Sequence, residues 1–157
     1  MERLKVLAIA VATGRVGYVF LIGGNLKDWG MSRKASRSST LAAGQTQKWI
    51  DDLRPDVVVT EKLDGSRKGE KSQGLIAAIA RVAEHNYLMD VAVARIRAFE
   101  NKYEEALAYA REFPEIAPWL PRKRRFFDPE PRSTVYVEAL ALAKQVLGGP
   151  TLQPVVA

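Results

Sequence analysis

The sequence predicts an α/β domain built on a mixed five-stranded sheet, and three observations carry that expectation. Residues 4–11 and 16–22 are two nearly unbroken apolar runs separated by Ala12-Thr13-Gly14-Arg15, the pattern of a buried hairpin rather than an amphipathic surface one. Val57, Val58 and Val59 follow one another, as in a parallel strand covered on both faces. Around that run, apolar residues recur at helical spacing, so strands alternate with helices. With 157 residues, 47% of them hydrophobic, the chain suits one domain with a continuous core, expected over 1–150 with a tail at 151–157.

The elements follow in order. Gly23-Gly24-Asn25 reads as a turn, and the alternation in 26–32 as a third strand at an edge, completing an antiparallel meander. Ser38-Ser39-Thr40 offers a helix cap, and Leu41, Gln45, Trp49 and Leu53, with Ala42 and Ile50 beside them, define a helix that Pro55 ends. The valine strand over 56–61 places Glu61 at its C-terminal end, where open sheets gather their sites. A polar loop over 62–69, expected to be mobile, leads to a helix from Glu70 with Leu75, Ile76, Ile79, Val82 and Ala83 inward. His85 ends that helix and reads as a cap or surface residue, not a catalytic base.

Residues 87–94 read as a fifth strand, parallel to the valine strand because a helix connects them. A basic connection over 95–102 leads to a helix over 102–113 with Tyr103, Ala106, Leu107 and Ala110 as its apolar face. Pro114, Pro118 and Pro121 forbid a regular helix and make 113–131 a long proline-punctuated connection. Within it Arg122, Lys123, Arg124 and Arg125 stand beside Phe126 and Phe127, a combination suited to phosphate contacts plus base stacking. The last helix is expected from about Asp128 to Leu147, with Val135, Ala139, Leu142, Ala143 and Val146 facing the core and Glu138 beside that face.

The formal charge of +6 and isoelectric point near 9.7 favour a polyanionic partner. Clustering is more informative than the total: Arg33, Lys34 and Arg37 form one group, Lys62, Arg67, Lys68 and Lys71 a second, and 122–125 a third, each in a loop or at an element end. The absence of cysteine excludes disulfides and thiolate metal sites and accords with a reducing cytosol. No apolar run approaches the roughly 20 residues of a membrane span, and Glu2, Arg3 and Lys5 precede a strand rather than a signal segment. The expected location is cytoplasmic, without membrane attachment.

The segment Ala8-Ile9-Ala10-Val11-Ala12-Thr13-Gly14-Arg15-Val16-Gly17-Tyr18 resembles the first hairpin of RNase H-like nucleases of the RuvC resolvase type. Val57-Val58-Val59-Thr60-Glu61 resembles their fourth strand, and Glu138-Ala139-Leu140-Ala141-Leu142-Ala143 their last helix, so the likeness spans roughly residues 4–147. It implies a sheet in the order 3-2-1-4-5 with helices on both faces. It implies magnesium bound by Glu61 and Glu138, with Glu130 or Asp128 as further candidates, and branched or structured DNA, as in recombination, as substrate. From the charge clusters, Arg67, Lys68, Lys71 and Arg122–Arg125 are the expected DNA contacts, and the resemblance implies a homodimer that cuts two strands.

The sequence departs from that family at two places. Ala10 stands where the family has its first metal-binding Asp, and Val135 where it usually has an acid or His three residues before the closing one. In two-metal hydrolysis carboxylates hold both ions, one activating water and the other stabilising the leaving oxygen. A methyl group cannot replace such a ligand. The chain is therefore expected to be a magnesium-dependent endodeoxyribonuclease impaired or inactive as written. The alternatives are a non-catalytic nucleic-acid-binding domain of the same fold and a protein-interaction module. On the resemblance alone, Ala10→Asp should restore cutting.

Overall fold

The first hairpin sets the frame: β1 (Lys5–Ala12) and β2 (Arg15–Ile22) pair antiparallel, with Ala10 opposite Gly17 and Ala12 opposite Arg15. In this computed structural model, which describes residues 3–96, 99–121 and 134–147, β3 (Asn25–Ser32) continues the meander on the outer side of β2. Gly23 and Gly24 make that turn with φ of 58° and 82°, a left-handed pair that side chains other than glycine enter at a cost. A 3₁₀ turn (Lys34–Arg37) leads to α1 (Ser39–Leu53), whose N-terminus is capped by the Ser38 hydroxyl accepting from the Leu41 amide at 3.1 Å. The strand β4 (Val57–Glu61) lies parallel to β1, with Val57, Val58 and Val59 beside Val6, Leu7 and Ala8. After α2 (Glu70–His85), β5 (Met89–Val93) lies parallel to β4.

The sheet order is β3-β2-β1-β4-β5, the order expected from the sequence. Alternation on β1 divides two cores. Leu7, Ile9 and Val11 face α1 and α2, whereas Val6, Ala8 and Ala10 face α4 (Thr134–Val146), with α3 (Lys102–Glu112) flanking it. Small residues on the second side let α4 settle close to the strands. A Cβ at Gly17 would lie 2.7 Å from Val135 Cγ1, nearer than packing allows. Every residue of α4 from Val135 to Ala143 except Glu138 is buried, as expected for a helix covered almost all round.

Several expectations need correction. The buried face of α1 centres on Ala42, Thr46, Trp49 and Ile50, one position round from the predicted stripe, because Thr46 bonds its hydroxyl to the Ala42 carbonyl at 2.8 Å and so tolerates burial. The fifth strand is shorter than 87–94: Asn86 closes α2, and Tyr87, with φ of 58° and 96% exposed, belongs to the turn. On α3 the buried residues are Glu105, Ala106 and Tyr109, while Leu107 is half exposed. Apolar periodicity missed this face because a buried ion pair turns it. Residues 114–119 form a 3₁₀ helix (Pro114–Trp119) with Ile116 buried, rather than irregular connection. Arg122–Arg125, Phe126, Phe127, Asp128, Glu130 and the tail lie outside the described residues, as does the start proposed for the last helix.

Candidate functional site

Strand alternation determines which way Glu61 points. Val57 and Val59 belong to the core under α4, so Glu61, two residues further on, is turned to the same side as Ala10 and α4. It does not leave the sheet for solvent, being 5% exposed. The Ser66 hydroxyl donates to Glu61 Oε2 at 2.7 Å. Lys68 Nζ lies 3.6 Å from Glu61 Oε1 and donates to Glu138 Oε1 at 3.1 Å. The acids from β4 and α4 thus converge on one ammonium.

The network continues beyond Glu138. Arg95, just past the end of β5, has its Nε 3.6 Å from Glu138 Oε1 and grips Glu105 through both terminal nitrogens, at 2.6 and 3.1 Å. Tyr109 donates its hydroxyl to Glu105 Oε2 at 2.9 Å. Burial alone would lower the Arg95 pKa, but its hydrogen bonds to Glu105 and the charges of Glu105 and Glu138 outweigh it and leave the pKa raised. Burial, then the Glu105 carboxylate, pushes the Tyr109 pKa upward, so it remains a neutral donor. Arg95, Glu105 and Ser66 were absent from the sequence-based site. The only signal for Arg95 was its place directly after a strand end, and Glu105 lay on the supposedly polar side of α3.

The other two positions are apolar. Ala10 is 2% exposed and Val135 fully buried, both in the same hydrophobic cluster, Val135 one turn of α4 before Glu138. The site is thus divided into an ion-paired part under Glu61 and Glu138 and a dry part under Ala10 and Val135.

Solved structures share this architecture. The chain matches the Thermus thermophilus RuvC structure with a TM-score of 0.60 and 16% identity, over 91% of this chain and 95% of that one. The fold is that of RuvC. T. thermophilus RuvC in complex with a Holliday junction substrate matches with a TM-score of 0.54 and 16% identity, over 92% and 96%. The yeast mitochondrial Holliday junction resolvase Ydc2 matches with a TM-score of 0.51 and 9% identity, over 92% and 78%. No protein-family model and no curated protein sequence matches the chain.

A RuvC-like fold implies a divalent metal between the sheet end and the last helix. Magnesium needs several oxygen ligands in near-octahedral array. Here two carboxylates converge on an ammonium, the two further positions offer a methyl and an isopropyl group, and no group of three acids or histidines suited to a metal occurs among the described residues. These residues do not fit a two-magnesium centre.

The surrounding charge is of the opposite kind. β1, β3, β4 and β5 all end at the same edge of the sheet where β2 begins, so Arg15, Arg33, Lys34, Arg37, Lys62 and Arg67 gather at that edge with Arg95. Arg33, Lys34, Arg37, Lys62, Arg67 and Lys71 are exposed, and none forms an ion pair among the described residues. Lys68, expected beside Arg67 and Lys71 as a phosphate contact, is instead drawn inward by the two carboxylates, with 15% of its side chain exposed. Two hydrogen bonds hold its loop in this arrangement: the Ser66 hydroxyl donates to Glu61, and Gln73 donates to the Lys68 carbonyl at 2.7 Å. A cleft of about 200 Å³ opens between Lys62, Arg67 and Arg95 beside Glu61. No described helix is long and apolar enough to cross a membrane.

Proposed function

We propose that this domain binds branched or structured DNA and does not cut it. The observation that carries the proposal is the contrast at one sheet edge, where exposed cations with no ion pair among the described residues surround acids already engaged by Lys68. Cations at a rim supply phosphate contacts, which position nucleic acid and make its binding salt-dependent. Hydrolysis by the two-metal route needs ligands that Ala10 and Val135 cannot provide. The RuvC-like fold supports a branched substrate, since a solved RuvC of that fold is in complex with a Holliday junction. Two copies on one four-way junction would match its two-fold symmetry.

Binding of the full chain to a four-way junction, a flap and a plain duplex of equal length, with EDTA present, tests the reading. The expected outcome is junction affinity exceeding duplex affinity, a complex mass that reports one or two copies, and intact strands after incubation with Mg²⁺ or Mn²⁺. Strand cleavage with either ion would return the domain to the nucleases. Loss of all binding at low salt would favour a protein partner instead.

A further inference from the structure

We propose that Lys68 is the resident cation of this site, standing between Glu61 and Glu138 in the role a divalent ion would otherwise fill, and that it makes the domain independent of metal. The inference rests on side-chain geometry and holds whether or not the ligand is DNA.

Two acids from separate elements, the end of β4 and the second turn of α4, would repel each other if left alone at this degree of burial. Lys68 Nζ reaches both, at 3.6 and 3.1 Å. Its position is built rather than incidental. The Lys68 amide donates to Ser66 Oγ at 3.2 Å, Ser66 donates in turn to Glu61, and the Lys68 carbonyl accepts from Gln73 in the first turn of α2. Backbone and side chain of the loop are therefore both anchored to the carboxylate that the ammonium neutralises.

On the far side Arg95 approaches Glu138 and saturates Glu105. Two cations thus serve three carboxylates, and the hydroxyls of Ser66 and Tyr109 take up remaining acceptor capacity. An incoming magnesium ion would have to shed part of its hydration, displace a tethered ammonium, and accept only two protein carboxylates in return. Lys68 has the advantage of being intramolecular, so it loses no translational freedom on binding. The ammonium offers charge and hydrogen bonds but no open coordination position on which a water could be activated.

The test is thermal unfolding of the full chain and of Lys68→Ala, Lys68→Met and Lys68→Arg, each with EDTA and with Mg²⁺ or Mn²⁺ at matched ionic strength. The intact chain and Lys68→Arg should show no divalent-dependent shift. Lys68→Ala and Lys68→Met should melt lower in EDTA and recover by roughly 2–4 °C with Mn²⁺, because an ion that binds only the folded state raises its melting temperature. Adding Glu61→Gln to Lys68→Ala should remove that recovery. An intact chain stabilised by Mn²⁺ as much as Lys68→Ala would overturn the proposal, and so would Lys68 variants that keep their melting temperature and ignore the ion. Failure of both Lys68→Ala and Lys68→Met to fold even with Mn²⁺ would also count against it, since vacated carboxylates should accept the ion.

Discussion

Ala10 and Lys68 show how a single side chain decides what its neighbours can do. Ala10 sits in the dry part of the site, with Val135 in the same cluster and Gly17 across the ladder. A carboxylate placed there would lie near Glu61, and Lys68 already serves two acids. Ala10→Asp should therefore destabilise the fold at pH 7 by about 2–4 kcal/mol, as a carboxylate buried among apolar groups and beside another acid does, and should not restore cutting. The penalty should shrink as pH falls toward 4, where the added carboxyl is neutral in the folded chain and increasingly so in the unfolded one. Melting curves at both pH values, with a junction-cleavage assay in Mg²⁺, measure this. Unchanged stability accompanied by cleavage would show that Val135 and Lys68 are no obstacle, as the resemblance alone implied. The alanine and the valine could be read directly from the sequence. The lysine's inward turn could not, since periodicity says nothing about where a loop side chain points.

At the scale of elements, the strands were legible because burial leaves a simple trace: consecutive valines for a parallel strand, and unbroken apolar runs for a central hairpin. Helix faces were less legible where polar groups are buried with partners, as Thr46 is on α1 and Glu105 on α3. A hydrophobicity pattern counts such residues as outward. The close approach of α4 to β2 has its own test. A Cβ at Gly17 would meet Val135 Cγ1 at 2.7 Å and Cγ2 at 3.0 Å. Gly17→Ala should cost roughly 1–3 kcal/mol through overpacking. Val135→Ala should cost a comparable amount through a cavity, and the double variant should lose less than the sum of the two. Denaturant titration of the four proteins gives the coupling. Strict additivity would mean that α4 shifts freely on the sheet, and the account of small residues seating it would fail.

For the whole molecule, topology matters more than the net charge of +6. Four strands end, and one begins, at the edge that holds Arg33, Lys34, Arg37, Lys62 and Arg67, so a duplex arm lying along that edge could meet cations following β3 and β4 together. Exposed Arg3, Lys27 and Arg54 sit toward the opposite edge, before or early in β1, β3 and β4. Two triple variants with equal loss of charge therefore separate a localised surface from general attraction. In the first, Arg33, Lys34 and Arg37 become Ser. In the second, Arg3 and Lys27 become Ser and Arg54, with its left-handed φ of 49°, becomes Asn. The first should flatten the log–log salt dependence of junction binding by about 0.9 for each phosphate that the protein no longer neutralises, while the second leaves the slope close to that of the intact chain. Neither should move the melting temperature much, because exposed charges contribute little to stability. Equal flattening in both variants would mean that net charge alone attracts the DNA, and the sheet edge would lose its claim to be the binding surface.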